Sequence, residues 1–324
     1  MNIKFILWLK ILIIFLIINF LFKYFLFKNE IHRIENQILF RLNENFIVSD
    51  KTKLLKMITN NNKFNYQGLE NCLLNDPDKQ HCIYHPTAPK KVIGKKRILI
   101  GAKKDGSYVL LNDFKNIKIA YSFGIGRKIQ FDKYLADKGI DVYMYDHSID
   151  SLPYNNTKFH WKKIGITGRN KSNNLLKSIE ELIIENGHSS EKNMILKIDV
   201  EHAEWESLKD LSTKYLNKFR YILIEFHFKD ERVLNESLLY YDVMRKLYQT
   251  HQVFYLRCYN KYNIVNFGNN RICKALEVSY AIKKDFEFTK DPTIYPIEEF
   301  DFSTYIPNRE GINLNILKLF DNDY

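Results

Sequence analysis

The sequence predicts an α/β protein built on a mostly parallel sheet with helices on both faces, preceded by a membrane-spanning helix and a helical stem. Three observations carry the prediction. From Arg97 onward, short apolar runs alternate with helically spaced ones. A glycine pair, Gly124 and Gly126, closes one of those apolar runs just ahead of a helical one. Phe5 to Phe27 is apolar apart from Lys10, Asn19 and Lys23. At 324 residues and 45% hydrophobic content, the chain can bury one full core with accessories rather than two equal domains.

As a helix, Phe5 to Phe27 measures about 34 Å, enough for a hydrocarbon layer of about 30 Å, and Lys10 and Lys23 can snorkel toward its edges. Lys23 to Lys28 offers no small-residue cleavage site, which favours an uncleaved anchor over 1–29 rather than a signal peptide. Ile31, Ile34, Ile38 and Leu42 recur at helical spacing, so 30–90 reads as a stem. Residues 91–290 then form the large domain, and 291–324 a C-terminal extension.

Within the domain, Arg97 to Ala102 and Tyr108 to Leu111 read as a hairpin. Ile117 to Phe123 is a buried strand, Lys128 to Lys138 a helix and Asp141 to Tyr145 a second strand, which makes one β-α-β unit. A strand follows near Phe159 to Ile166, then a helix from Asn174 to Asn186 that stops at Gly187. Met194 to Val200 and Tyr221 to Phe228 are strands, Ala203 to Leu211 and Leu238 to Tyr248 helices, and 252–258 and 275–283 the last strands. In such a sheet a ligand binds beyond the carboxyl ends of the strands.

Those ends carry the candidate site. Gly124 and Gly126 allow close backbone approach, and the helix that follows offers N–H groups to an anion such as a carboxylate. Asp146 ends the next strand and is placed to accept hydrogen bonds from a ribose. A nicotinamide dinucleotide wants a third glycine where Ile129 stands, which disfavours diphosphate binding. Asp199 ends a later strand facing the cleft, and alternation puts Glu225 and His227 on one face of the strand beyond. His227 is the candidate general base, with His202 as a second. Asp199, Glu201, Glu225 and His227 suit a divalent cation by type, but no spacing such as H-E-x-x-H accompanies them, and no metal is predicted.

Several blocks occur in an order that resembles the FkbM-like methyltransferases, and more closely the single-pass membrane methyltransferase-like proteins. They are Gly101-Ala102-Lys103-Lys104-Asp105-Gly106-Ser107-Tyr108-Val109, Ser122-Phe123-Gly124-Ile125-Gly126, Phe131-Asp132, Tyr145-Asp146-His147-Ser148-Ile149, Leu196-Lys197-Ile198-Asp199-Val200-Glu201 and Ile224-Glu225-Phe226-His227. Ser107 stands where the family has a second glycine. The resemblance implies a Rossmann-like class I methyltransferase fold over about residues 95–285, with a seven-stranded sheet whose last strand runs antiparallel. It implies S-adenosylmethionine as cofactor, with Phe123, Gly124 and Gly126 on the methionine side, Asp146 at the ribose and Asp199 beside the sulfonium. It further implies O-methylation of a hydroxyl on a glycan or similar acceptor by a type II protein of the secretory pathway, its catalytic domain in the ER or Golgi lumen. The alternatives from other classes are a catalytically silent lumenal binding protein and a nicotinamide-dependent oxidoreductase.

The net charge of +11 is diffuse, and its densest run, Lys90 to Lys104, reads as a solvated basic face, so no nucleic-acid partner is expected. Cys72 with Cys82 and Cys258 with Cys273 suit two local disulfides, or four buried thiols. The sequons at Asn155, Asn170 and Asn235 permit a lumenal location.

Overall fold

The computed structural model describes residues 89–102, 106–228, 233–258, 264–267, 270–293 and 297–301. The expected anchor, the stem up to residue 88, Cys72, Cys82 and residues beyond 301 lie outside them. No helix among the described residues is long and apolar enough to cross a membrane.

In chain order, β1 (Lys90–Val92) is followed by β2 (Arg97–Gly101) and β3 (Ser107–Leu111), an antiparallel hairpin with Leu99 opposite Val109. Then come β4 (Ile119–Phe123), α1 (Gln130–Asp137), β5 (Asp141–Tyr145) and β6 (Phe159–Lys162). Next, β7 (Gly165–Ile166) pairs with β8 (Leu176–Lys177), and α2 (Ile179–Glu185) follows. The chain continues with β9 (Met194–Ile198), α3 (Glu204–Asp210), α4 (Thr213–Leu216), β10 (Phe219–His227), α5 (Val233–Thr250) and β11 (His251–Cys258). A hairpin of β12 (Ile264–Phe267) and β13 (Asn270–Cys273) precedes β14 (Ala275–Ile282), β15 (Phe288–Lys290) and α6 (Glu298–Asp301).

Seven strands form the central sheet in the order β11-β14-β10-β9-β4-β5-β6. β9, β4, β5, β6 and β10 pair in parallel, and β14 runs antiparallel to both β10 and β11. The chain leaves β4 toward β5 on one side and returns to β9 on the other, so the topological switch point lies between β4 and β9. A crevice opens there at the carboxyl ends of the strands.

β4 and β9 are buried at every position, as strands covered on both faces must be. Alternation sorts their side chains between two cores. Tyr121, Leu196, Ile198, Ile222 and Ile224 pack with Leu182, Trp205, Val243 and Leu247 of α2, α3 and α5. Ala120, Ile195, Tyr221 and Leu223 pack with Phe131 and Leu135 of α1 and with Val109 of the hairpin. Trp205 is fully buried, with ring centroids 4.5 Å from Phe226 and 4.2 Å from Tyr240. Burying each such large side chain contributes about 1.5–3 kcal/mol, so α3 and α5 are fixed to the sheet chiefly by apolar contact.

The expected strand at Phe159 to Ile166 is two: after Lys162 a tight bond from Ile164 N to Lys162 O (2.9 Å) turns the chain, and only β6 joins the central sheet. The expected helix at Asn174 begins later, at Ile179. Ser178 and Glu181 form a capping box that starts it there, while Leu176 goes to β8 and Leu175 is exposed. The packed unit also runs past residue 290. Asp291 pairs with Arg97, and Phe300 buries its ring against Tyr255 at 5.8 Å.

Candidate functional site

Where β4 ends, Gly124 turns the backbone at φ +76°, and its N–H donates to Tyr145 O at 2.9 Å. A Cβ on Gly124 would stand 1.6 Å from the carbonyl oxygen of Asp199. This glycine therefore permits β4 and β9 to close on each other. Gly126 differs: at φ +55° it has no atom within 4 Å of a Cβ, and it faces open space.

A cleft of about 430 Å³ opens around this turn, in the range of small-molecule sites. All five residues assigned to the cofactor from sequence line it: Phe123, Gly124, Gly126, Asp146 and Asp199.

Asp146 is buried, and its carboxylate accepts four hydrogen bonds. Ile125 N and Gly126 N both donate to Oδ2 at 2.8 Å, while Ser148 N (2.8 Å) and Ser148 Oγ (2.6 Å) donate to Oδ1. Burial pushes its carboxyl up, but these bonds outweigh that and hold it below the usual carboxylate range. The N–H groups of the glycine turn itself are thus taken by the chain's own carboxylate. Helix α1 begins only at Gln130, beyond the turn.

Three residues of the cleft stand in the quoted blocks but were given no role from sequence. Lys197, in the middle of β9 with its side chain 6% exposed, donates to the carbonyls of Phe123 (3.3 Å) and Gly124, and its Nζ lies 4.0 Å from Asp199 Oδ2. Asp132 lies on the buried face of α1, where burial pushes its carboxyl up and the charge of Lys197 opposes the shift. Tyr108 of β3 donates its hydroxyl to Asp199 Oδ2 at 3.1 Å and packs edge-on against Phe131. The available signal was a lysine inside a five-residue strand that is otherwise apolar and an aspartate beside Phe131 on the apolar stripe of α1.

Glu225 and His227 do come together, as alternation required, with Glu225 Oε1 3.3 Å from His227 Nε2. They do not line the cleft and reach it through Asp199, whose Oδ1 is 3.9 Å from Nε2. Glu204 is wholly buried at the start of α3 and accepts from His202 N (2.7 Å), His227 N (2.7 Å) and His227 Nδ1 (3.3 Å). Burial disfavours charge on His227, yet hydrogen bonds to Glu204 and Glu225 outweigh it and push its pKa up to about 11. The carboxylates around the ring favour its protonated form, which weighs against the general-base role read from sequence. Burial raises the Glu225 carboxyl above its ordinary value. His202 is turned away: its Nδ1 meets His227 O at 3.2 Å and it does not line the cleft.

Between Asp199 and Glu204 the backbone is strained, with Glu201 at φ +51° and His202 at φ +97°. The bonds to Glu204, together with Trp205 Nε1 donating to His227 O at 2.8 Å, hold that strain.

No protein-family model matches the chain, and no curated protein matches it.

Proposed function

We propose that this chain is an S-adenosylmethionine-dependent methyltransferase of the Rossmann-like class I type that O-methylates a hydroxyl on a glycan or another acceptor of the secretory pathway. Residues 1–29 would anchor it as a type II single-pass membrane protein with its catalytic domain in the ER or Golgi lumen. The observation that carries the reading is the charge of the cleft at the switch point. Asp132, Asp146, Asp199 and Glu201 line it, and the glycine turn has already given the N–H groups of Ile125 and Gly126 to Asp146. The acids at the strand ends favour a cationic sulfonium, while the exposed Arg127 and Lys128 on the same cleft suit a ligand carboxylate. The single antiparallel strand of the sheet, β14, is also its last in sequence, which agrees with the same fold.

The residues present fit the cofactor. Phe123 and Gly126 would border its methionine part. Asp146 would take the ribose, with Ser148 Oγ the one rotatable donor among its four partners and so the one to yield. When bound, S-adenosylmethionine supplies an electrophilic methyl group on sulfur. The protein's contribution is to orient an acceptor oxygen and exclude water. Asp199, steadied by Tyr108 and near Lys197, is the carboxylate that both lines the cleft and approaches the His227 cluster, and it would receive the acceptor's proton.

Calorimetric titration of the full-length chain in mild detergent with S-adenosylmethionine, S-adenosylhomocysteine and NADH tests this. Saturable binding of the first two, absent for NADH and lost in Asp146→Ala with the fold retained by circular dichroism, supports the reading. A folded chain that binds neither sulfur ligand overturns it in favour of a silent binding protein, and NADH binding overturns it in favour of an oxidoreductase.

A further inference from the structure

Beside the cleft, Asp199, Glu201 and His227 offer one ligand atom each, all within 4.8 Å of one another. Bonds of about 2.0–2.4 Å to a shared ion span separations of up to about 4.8 Å, so one cation reaches all three without rebuilding the site. The measured separations of His227 Nε2 from Asp199 Oδ1 and Glu201 Oε2, 3.9 and 3.7 Å, fall inside that limit.

Two further observations point to a ligand. First, the other ring nitrogen of His227 is fixed by Glu204, a wholly buried carboxylate outside the trio, at 3.3 Å. Metal-binding histidines are commonly oriented this way, with the second nitrogen held by a carboxylate and the first aimed at the ion. Second, three carboxylates converge on Nε2, which carries at most one proton. Glu225, 6% exposed, stands at 3.3 Å behind Glu201 and Asp199. Glu225 is buried and Asp199 partly so, and acids gathered around one N–H, with, among the described residues, only Lys197 at 4.0 Å from Asp199 beside it, leave a place for further positive charge.

We propose that Asp199, Glu201 and His227 form a divalent-cation site at the edge of the cleft, with Glu204 as its orienting carboxylate, the ion taking the place of the proton on His227 Nε2, which leaves to solvent. Two carboxylate oxygens and one imidazole suit an ion of intermediate hardness such as Mn²⁺. The site stands independently of the cofactor reading. Only its use, to hold an acceptor oxygen beside the transferred methyl, rests on that reading.

The probe is Mn²⁺ alone, titrated into the full-length chain in metal-free detergent buffer and followed by loss of the free-ion electron paramagnetic resonance signal. One site is expected, weakened at least tenfold in both Glu201→Gln and His227→Gln. The Glu201 side chain is 87% exposed, so its substitution leaves the fold intact even if His227→Gln does not. No binding by the wild type at millimolar Mn²⁺, or binding unchanged in Glu201→Gln, overturns the site. S-adenosylmethionine titrated in the same metal-free buffer reports separately on the cofactor reading.

Discussion

Alanine placed at Gly124 and at Gly126 separates two jobs that the Gly-x-Gly spelling merges. At Gly124 the added Cβ lies 1.6 Å from Asp199 O, so that carbonyl must retreat by more than an ångström. Asp199 N donates to Phe123 O at 3.0 Å, and the retreat breaks that bond. Losing it costs about 1 kcal/mol, the left-handed backbone about 1–2 kcal/mol, and the overpacking of β4 against β9 about 1–3 kcal/mol. At Gly126 only the backbone cost of about 1–2 kcal/mol applies, because no atom lies within 4 Å. Urea unfolding followed by tryptophan fluorescence is therefore expected to show Gly124→Ala less stable than Gly126→Ala by at least ~2 kcal/mol. Gly126→Ala should instead lose ligand affinity with the fold intact. Equal stabilities within ~0.5 kcal/mol would refute the assignment of Gly124 to strand closure.

Three other outcomes are expected. His251 is complete as a neutral ring: Thr250 Oγ1 donates to Nδ1 at 2.7 Å and Nε2–H donates to Phe219 O at 2.9 Å. Burial, with Lys283 and Lys284 nearby, lowers its pKa to about 4. The unfolded chain takes up this proton near pH 6.5 and the folded chain does not. The His251 contribution to stability is then full above pH 6.5 and falls by about 3 kcal/mol as the pH drops to about 4, a slope that denaturation series should find reduced in His251→Gln. Glu277→Gln leaves Arg257 charged in a place where both side chains are 0% exposed, and should cost about 3–5 kcal/mol in the same assay. Replacing the pair together by Met and Leu should recover most of it, and a cost under ~1 kcal/mol for the single change would refute the pairing. Ser148→Ala releases one acceptor position on Asp146, so S-adenosylmethionine affinity should hold or rise, whereas Asp146→Asn should lose about tenfold or more. A tenfold loss in Ser148→Ala would make the serine itself a ligand.

The strands of the central sheet were legible because burial on both faces leaves an unmistakable apolar run, as in Ile119–Phe123 and Met194–Ile198. Helix α2 was misplaced because Leu175 and Leu176 continue its apolar spacing, although Ser178 and Glu181 spell the capping box that overrides it. The β12–β13 hairpin was passed over although only Gly268-Asn269 separates the two strands, a two-residue hairpin signal. At the site, residues at strand ends were found because topology makes strand ends special. Lys197, Asp132 and Glu204 were given no role, since a polar residue within an apolar element gives no hint of the partner it will meet. Tyr108 and Asp199 lie 91 residues apart, and only the fold puts the hydroxyl on the carboxylate.

The buried polar residues of the sheet share one property, which is the face they occupy. Alternation sends Tyr121, Leu196, Ile198, Ile224 and Val278 to one core, leaving Ser122, Lys197, Glu225 and Glu277 on the opposite face with α1 and the β2–β3 hairpin. Register then carries the belt across the sheet, with Glu225 opposite Glu277 and Glu277 opposite Arg257. Arg257 ends the row by bonding Ser107 on the hairpin, next to the Tyr108 that bonds Asp199. A slip of one residue in β10 or β14 would turn these charges into the apolar core around Trp205, at a cost of several kcal/mol for each unpaired ion. The belt therefore selects one register for the antiparallel end of the sheet and seats the hairpin against the cleft. That gives the buried charges a structural reason to exist wherever they do not touch a ligand. Asp199 and Glu201 sit where the belt meets the cleft and stay partly or wholly exposed, so of the belt's charges these two are the ones a ligand can reach without unfolding the sheet.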